Sequence, residues 1–527
     1  MTMEKISVSC NNEVIETFEL TPECCQSFRI TPRDGNTKIR VAIPMVDIHA
    51  FWHCNTSDYR TQMTWHFSFT SALNHGMPFL AFFNSARQLC ASVATDNLID
   101  DTLFDAMINQ QNCTFDVTLE STATEPFNLI VDLRNDIPFT QSLAEWRNKV
   151  MPANLYFPAG AWDPVFCTWY AVHGEVTAKW IESQAVKARA LGFGTLIVDD
   201  GWCYDEFKRV SPETLSNWYN TIGDWEISEV KFPDFKNHVK KIKDIGLKYL
   251  LWVAPHLIGV DSEIGKKHTD WTLDKLLEGC HHLKIDYQQA VDHLTDKLIA
   301  LAIDNDLDGL KIDFLDIVKP AADAPIGRDN RAMLEKLCGK LRENNPDALI
   351  ELRQRYSTIG MLPYATQFRA ADVPFDWALN FRRLVDIRLS LGDGIPVHAD
   401  PAYWGPDEYP ENVARHMMVM LLGVPMLSMD LNTLPAEHLA IVQHYLKLYH
   451  EKQQLLNFGH WEFIFSSADA AVVMVSNESE VLAVVMDAAY SDKLMAAVGD
   501  RKLNLLNISA ETIYLDGKGI APGESNC

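Results

Sequence analysis

The chain has 527 residues, 47% of them hydrophobic, which is long enough for two or three globular domains and too apolar for a disordered protein. The formal net charge is −25, from 71 acidic and 46 basic residues. Such a charge repels phosphate backbones and anionic lipids, so we expect neither nucleic acid nor a membrane surface as a partner.

The cysteines and the N-terminal residues bear on the cellular compartment. The 11 cysteines have no repeated spacing, and no CxxC pair stands beside a matching His or Cys cluster. This pattern favours a reducing compartment and does not support a structural zinc site. The first twenty residues contain acidic side chains and lack the apolar run of a signal peptide. We therefore expect a cytoplasmic protein.

The first 150 residues are predicted to be rich in β-strands. Apolar and polar residues alternate over 38–52, 64–73, 114–120 and 127–134, with Asn, Asp, Pro and Gly between these segments. This alternation predicts an N-terminal β-sandwich of antiparallel strands over residues 1–150. The segment 142–152 is predicted to form a linker helix that ends at a proline.

From about residue 165, short apolar runs alternate with amphipathic stretches. The predicted strands are 165–170, 195–200, 248–254, 309–314, 348–353, 367–372, 395–400 and 425–431. The predicted helices between them include 175–191, 287–304, 329–344, 377–391 and 434–452. Eight strands that alternate with helices predict a central (β/α)8 TIM barrel over 151–455, with a doubly wound open sheet as the alternative.

After residue 455 the period-two pattern returns. The segments 461–467, 470–477 and 480–487 alternate in the way that half-buried strands do. We predict a small C-terminal antiparallel β domain over 456–527, so that the fold class is a multidomain protein with a TIM barrel between two β domains.

The predicted barrel strands end in polar and aromatic residues, and a barrel places such strand ends at the rim where catalysis occurs. These residues are Asp199, Asp200, Trp202, Trp252, His256, Lys311, Asp313, Asp316, Glu351, Arg353, Arg355, Asp372, Asp376, His398 and Asp400. A single strand-end Asp often caps the following helix, and we interpret Asp376 and Asp400 in this way. The adjacent Asp199 and Asp200 repel each other unless they share hydrogen-bond donors, and sugar hydroxyls are such donors.

Lys311 and Asp313 lie two residues apart in one predicted strand, so both side chains point to the same face. If that face is the barrel mouth, the ammonium favours an ionised Asp313, as a nucleophile requires; a buried structural ion pair is the alternative. Asp313 and Asp372 follow strands four and six. Two carboxyls across a barrel mouth suit the cleavage of a glycosidic bond, in which one attacks and the other protonates the leaving oxygen.

Five segments together resemble a known family. They are GFGTLIVDDGW (192–202), GDWEISEVKFPD (223–234), GLKYLLWVAP (246–255), GLKIDFL (309–315) and FRAADVPFDW (368–377). In order and spacing they are similar to glycoside hydrolase family 36, the melibiase-type α-galactosidases. The resemblance covers roughly residues 150–455 well and the flanking regions only in layout.

This resemblance implies a retaining, exo-acting α-galactosidase that hydrolyses terminal α-galactosides of small oligosaccharides by double displacement, without a metal or organic cofactor. It implies that Asp313 is the nucleophile and Asp372 the general acid/base, and that Asp199 and Asp200 hold the sugar's O6 and axial O4. The other substrate-binding residues that it implies are Trp252, Lys311 and Arg369. From their places at the predicted strand ends we also expect Trp202 and Arg353 to bind substrate.

The chain departs from the family after strand five. Many members have a Cys and a Gly-rich turn there, whereas this chain has IELRQRYSTIGMLPY (350–364) with Arg353 and Arg355. The family's turn often contacts the sugar's 2-substituent, so an α-N-acetylgalactosaminidase remains an alternative. A transglycosylase, a non-catalytic carbohydrate-binding protein and a homo-oligomer also stay open. A metal-dependent barrel hydrolase would use His173, His256, His398 and Asp200, which lack HxH or HExxH spacing.

Overall fold

The computed structural model describes residues 5–10, 13–33, 37–54, 64–318, 326–466, 469–515 and 517–527. Its N-terminal strands are β1 (Lys5–Cys10), β2 (Glu13–Glu19), β3 (Cys25–Ile30), β4 (Thr37–Pro44), β5 (Ala50–Trp52), β6 (His66–Ser71), β7 (Phe79–Phe83), β8 (Leu89–Thr95), β9 (Thr102–Asn109), β10 (Thr114–Ser121) and β11 (Phe127–Asp132). None of the helices in these ranges is long and apolar enough to cross a membrane.

The N-terminal strands form two antiparallel sheets, in the orders β2-β1-β4-β10-β9-β6 and β3-β11-β8-β7-β5. In β4, buried residues alternate with exposed ones, because successive side chains of a strand point to opposite faces. Val41 of the first sheet and Val93 of the second belong to one buried cluster, so the sheets pack face to face. The predicted sandwich is confirmed. Helix α1 (Phe139–Val150) follows it, where we predicted the linker helix.

The central region begins after α1. Its elements in chain order are β12 (Val165–Cys167), α2 (Trp169–Val172), α3 (Ala178–Leu191), β13 (Thr195–Val198), α4 (Pro212–Leu215), α5 (Phe235–Asp244), β14 (Lys248–Val253), β15 (Leu257–Gly259), α6 (Glu263–Lys267), β16 (Thr272–Leu277), β17 (Cys280–Leu283), α7 (Gln288–Asp304), β18 (Gly309–Ile312), α8 (Gly327–Asn344), β19 (Leu349–Arg353), β20 (Gln367–Arg369), α9 (Trp377–Leu391), β21 (Val397–His398), α10 (Pro410–Met420), β22 (Met426–Leu427), α11 (Ala436–Glu451) and α12 (Gln453–Phe458).

An 8-stranded parallel sheet, in the order β21-β20-β19-β18-β14-β13-β12-β22, forms the barrel. The amide of Val424 donates to Val397 O at 2.7 Å, and the amide of Ala399 donates to Val424 O at 3.1 Å. These bonds join the two ends of the sheet beside β21 and β22, which the open-sheet alternative would leave apart. All eight predicted strands are present in the predicted order, and the TIM barrel is confirmed.

A small antiparallel sheet, in the order β15-β17-β16, is inserted between β14 and α7. The sequence analysis did not identify this insertion. Its strands are short, and β16 pairs with β17 across a register shift, so they leave little periodic signal. The insertion begins directly after the C-terminal end of β14, on the same side of the barrel as the predicted site.

The C-terminal elements are β23 (His460–Phe465), β24 (Ala470–Ser476), β25 (Glu480–Val485), α13 (Ser491–Val498), β26 (Lys502–Asn507), β27 (Ile513–Leu515) and β28 (Lys518–Ile520). The main sheet has the order β23-β24-β25-β26. Its first three strands are antiparallel, but β25 and β26 run parallel. The prediction of a wholly antiparallel domain is therefore wrong, because α13 carries the chain back before β26 begins. The predicted divisions near residues 150 and 455 stay predictions.

Candidate active site

The carboxyl ends of the barrel strands bring the predicted site residues together. Asp199 and Asp200 follow β13, Asp313 follows β18, and Asp372 follows β20 by three residues. Trp252 lies in β14, Lys311 in β18, Arg353 ends β19 and Arg369 ends β20. The carboxyl ends of parallel strands meet at the same rim of a barrel, so these side chains surround the mouth of the barrel.

Asp313 is buried and held by donors on both carboxylate oxygens. Its Oδ2 accepts a hydrogen bond from Trp252 Nε1 at 2.9 Å. Its Oδ1 accepts from Arg353 Nε, from the amide of Phe314 at 2.7 Å and from the hydroxyl of Tyr356 at 3.4 Å. The carboxylate is thus fixed in one orientation.

The charges around Asp313 keep it ionised. Burial alone would raise its pKa, but Arg353, Lys311 and Arg369 together hold the pKa well below its usual range. Lys311 Nζ lies 3.9 Å from Asp313 Oδ2, as the shared face predicted. A carboxylate that stays ionised at neutral pH meets the first requirement for a nucleophile.

Lys311 has a closer partner in Asp199. Its Nζ donates to Asp199 Oδ2 at 2.5 Å, and both side chains are almost fully buried. Burial lowers the pKa of Lys311, but the charge of Asp199 outweighs this effect and the net shift is upward. The lysine therefore stays charged and connects Asp199 to Asp313 across the floor of the pocket.

Asp200 points to a different partner from Asp199. Its Oδ2 accepts a hydrogen bond from Trp218 Nε1 at 2.6 Å, whereas its buried Oδ1 receives none from the described residues. Burial raises the pKa of Asp200 to about 6, and the hydrogen bond from Trp218 partly offsets this rise. Asp199 and Asp200 thus bind different partners and do not compete for one donor.

Arg369 connects Asp372 with Asp400. Its Nη1 donates to Asp372 Oδ1 at 2.9 Å and also to Asp400 Oδ1. The side chain of Asp372 is 56% exposed, whereas that of Arg369 is 3% exposed. Burial alone would raise the pKa of Asp372, but the positive charges of Arg369 and Arg353 outweigh this effect and hold the pKa below its usual value. Asp372 therefore faces the open side of the pocket.

The structure corrects our interpretation of Asp400. Asp376 does cap α9, because its side chain accepts from the amide of Leu379 at 2.9 Å. Asp400, in contrast, is fully buried and accepts from Arg369, from the hydroxyl of Tyr170 at 3.1 Å and from the amide of Val373 at 2.6 Å. It organises the site and caps no helix. Burial raises its pKa to about 7.

The two predicted tryptophans lie one behind the other. Trp252 donates to Asp313, and the indole N–H of Trp202 donates to the backbone oxygen of Trp252 at 2.9 Å. Trp202 is fully buried, so in this structure it supports the strand that carries Trp252. A direct contact between Trp202 and substrate stays a prediction.

The ligands of the metal-dependent alternative do not come together. His398 bonds to Ala161 O at 2.8 Å and lies 3.5 Å from Glu351 Oε2. Burial lowers the pKa of His256 to about 4. Within the described residues no group of three or more His, Cys, Asp or Glu side chains is arranged to hold a metal ion.

Sequence reasoning missed three aromatic residues that touch the site. Trp218 bonds to Asp200, Tyr170 to Asp400, and Tyr356 to the backbone oxygen of Ile312 at 3.0 Å. They lie in a long loop, a short helix and a turn, where no periodic pattern marks them. Tyr170 and Tyr356 lie shortly after barrel strands β12 and β19, which is a signal that could have found them, whereas Trp218 lies far beyond the end of β13.

Comparison with known proteins gives a family match over residues 147–325, to the family described as Melibiase. Among curated relatives, alpha-galactosidase 2 of Pediococcus pentosaceus is 26% identical over 253 residues, which are 44% of this chain and 33% of that protein. The alpha-galactosidase of Escherichia coli is 23% identical over 384 residues, 68% of this chain and 51% of that protein. The chain thus spans between a third and a half of the length of these relatives.

Solved structures share the fold. An alpha-galactosidase from Lactobacillus brevis superposes with a TM-score of 0.66 at 16% identity, over 90% of this chain and 69% of that one. The GH36 alpha-galactosidase AgaA from Geobacillus stearothermophilus, in complex with raffinose, gives a TM-score of 0.65 at 16% identity, over 88% of this chain and 71% of that one. At this identity the similarity concerns the fold.

Proposed function

Because the chain belongs to the melibiase-type glycoside hydrolases of family 36, we propose that it is a retaining, exo-acting α-galactosidase that hydrolyses terminal α-galactosides of small oligosaccharides. The observation that carries this proposal is the Asp313 carboxylate, held ionised and oriented in the same pocket as the exposed carboxyl of Asp372. One group suits attack and the other suits exchange of a proton with a leaving group or water.

In the first step, Asp313 attacks C1 of the sugar while Asp372 gives its proton to the glycosidic oxygen. The C1–oxygen bond breaks as the C1–Asp313 bond forms, and the leaving sugar departs as an alcohol. Trp252 and Arg353 hold the attacking carboxylate in place. The product of this step is a β-linked galactosyl ester of Asp313.

In the second step, Asp372 takes a proton from water as the water oxygen attacks C1. The ester bond breaks, its electron pair returns to Asp313, and galactose leaves with the α configuration. The two inversions at C1 together retain the configuration of the substrate.

Asp372 needs a proton at the start of the cycle, although Arg369 and Arg353 lower its pKa in the free protein. A bound disaccharide covers the 56% of the side chain that solvent now contacts. Loss of this hydration disfavours the charged form and raises the pKa in the complex. We therefore expect substrate binding to promote protonation of Asp372.

Asp199 and Asp200 give the site its preference for galactose. Asp199 is held by Lys311, and Asp200 Oδ1 is buried with no hydrogen bond from the described residues. Two carboxylates fixed at neighbouring positions can accept hydrogen bonds from O6 and an axial O4. An equatorial O4 would leave one of them buried without a donor, which is costly.

The test is a panel of aryl α-glycosides with galactose, N-acetylgalactosamine, glucose and fucose as the sugar. We expect cleavage of the galactoside with the α anomer of galactose as the first product detected by NMR. Asp313→Asn should lower kcat by a factor of about 10⁴ or more, because the nucleophile is lost.

Asp304→Asn is the matched control, since this exposed carboxylate ends helix α7 on the outside of the barrel. It should leave the rate unchanged. Preferential cleavage of the N-acetylgalactosaminide, or a β anomer as first product, would contradict the proposal. A near-normal rate for Asp313→Asn would refute the assignment of the nucleophile.

A further inference from the structure

Arg353 is fixed against one side of the Asp313 carboxylate. Its Nε donates to Asp313 Oδ1, its Nη1 donates to Gln354 O at 3.1 Å, and its Nη2 lies 3.8 Å from Asp316 Oδ1. The guanidinium carbon lies 5.1 Å from the ring centroid of Phe314. The side chain is only 16% exposed, so the protein covers most of its surface.

The two oxygens of Asp313 differ in how many donors they face. Oδ1 accepts from Arg353, from the amide of Phe314 and, at a longer distance, from Tyr356. Among the described residues, Oδ2 accepts only from Trp252. A carboxylate oxygen has about two acceptor positions. Oδ1 is therefore saturated, whereas Oδ2 keeps one lone pair for the sugar.

Building on the proposed double displacement, we propose that Arg353 is a positioning residue with two effects. It holds Oδ1, so that Oδ2 is the atom that attacks C1. It also makes Asp313 a good leaving group when the ester is hydrolysed.

The second effect follows from the change of charge along the reaction. When the C1–Oδ2 bond forms, the leaving oxygen takes the proton of Asp372 and Asp313 loses its negative charge. When water attacks C1, its proton goes to Asp372 and the electron pair of the C1–Oδ2 bond returns to Asp313. The guanidinium of Arg353 stabilises the free carboxylate more than the neutral ester. It therefore favours hydrolysis and prevents the ester from accumulating.

A contact with the sugar predicts something different. If Arg353 acted mainly on the substrate, as we expected from its place at a strand end, its loss would weaken binding and lower kcat/KM. If it acts on Asp313, its loss slows hydrolysis of the ester. Formation of the ester continues, because Trp252 and the amide of Phe314 still orient the carboxylate. The two roles separate in the kinetics, because kcat/KM reports only the steps up to ester formation.

The experiment compares the wild type with Arg353→Met on an aryl α-galactoside that has a good leaving group. We expect kcat to fall by roughly 10- to 100-fold, the factor that corresponds to loss of a hydrogen bond to a charged group. KM should fall with it, so that kcat/KM changes by less than about threefold. Acid-quenched samples should show the galactosyl-enzyme by intact mass, together with a burst of the aryl alcohol.

Arg331→Met is the matched control, since it makes the same change at an exposed position of helix α8, away from the barrel mouth. It should show neither the burst nor the ester. Arg353→Lys keeps a cation beside Asp313 and should recover part of kcat. If Arg353→Met does not fold, Arg353→Lys carries the same comparison, with a smaller drop in kcat at constant kcat/KM.

Equal losses of kcat and kcat/KM without ester would overturn this inference, while a wild type that retains configuration would still support the proposed function. Inversion of configuration by the wild type would refute both, because no ester would then form. Arg353 lowers the pKa of Asp313. A shift of the acid limb of kcat/KM to higher pH in Arg353→Met would therefore support a direct action of Arg353 on Asp313.

Discussion

A single nitrogen of Arg369 donates hydrogen bonds to two carboxylates that differ greatly in solvent exposure. Asp372 is largely exposed, while Asp400 is fully buried, and both accept from Nη1. When Asp400 is ionised, it neutralises part of the charge that Arg369 directs at Asp372. The pKa of the proposed acid/base thus depends on a residue that the substrate does not reach.

The pH profile should reveal this dependence in the variant Asp400→Asn. Without the charge of Asp400, Arg369 stabilises ionised Asp372 more strongly, so the pKa of Asp372 falls. Asp372 then loses its proton at lower pH, and the alkaline limb of kcat, which reports the substrate complex, should move down by roughly one pH unit. The other charged or titratable groups near Asp372 are Arg353, Lys311, Asp313, Arg383 and Tyr170.

Asp407→Asn, an exposed change in the same segment, is the control and should leave the profile unchanged. An alkaline limb that stays in place, or moves to higher pH, would show that Asp400 does not influence Asp372. Loss of activity at every pH without a shift would point to a packing role alone.

The sequence could predict contacts between site residues of one strand, but not contacts between residues of distant segments. Lys311 and Asp313 share a strand, so the period of two places them on one face, and the structure has them 3.9 Å apart. The partners of Asp200 and Asp400 are Trp218 and Tyr170, which come from separate loops and helices. Only the closed barrel brings them into contact, so no spacing in the sequence predicts them.

At the level of elements, a contact between distant segments fixes the start of helix α8. Asp101, in the N-terminal sandwich, accepts from the amides of Ile326 at 3.0 Å and Gly327 at 3.0 Å. First-turn amides of a helix lack partners within the helix, so a carboxylate there acts as a cap. Asp101 lies 225 residues from Ile326 in the sequence. The local sequence pattern therefore predicted the helix, but it could not predict which residue caps the first turn.

Asp101→Ala should loosen this end of α8. Loss of a capping side chain costs about 1 kcal/mol. Where local opening of the helix controls hydrogen exchange, this corresponds to roughly fivefold faster exchange of the backbone amides. We expect the amides of Ile326 and Gly327 to exchange faster with deuterium, while those in the middle of the helix change little. Asp136→Ala, a change at an exposed carboxylate shortly after β11, is the control. Unchanged exchange at the first turn would show that the cap contributes nothing measurable.

Across the whole molecule, the sandwich and the barrel share a buried core. Trp52 of β5 belongs to the same cluster as Phe139 of α1 and Leu384 of α9. Its indole N–H reaches the buried carboxylate of Asp386 at 3.4 Å, and Asn74 Nδ2 donates to Leu315 O at 2.6 Å. The sequence predicted the layers of this architecture, yet the contacts between them depend on side chains more than two hundred residues apart.

This shared core predicts that the sandwich and the barrel unfold together. Trp52→Ala removes a fully buried indole, a change that typically costs about 3–5 kcal/mol. We expect the temperature of half-inactivation to fall together with the midpoint of the calorimetric transition, although Trp52 is outside the catalytic site. Trp65→Ala removes an exposed indole of the same sandwich and should shift neither midpoint. If activity persisted above the temperature at which the Trp52→Ala sandwich melts, the two units would be independent and the shared core would not couple them.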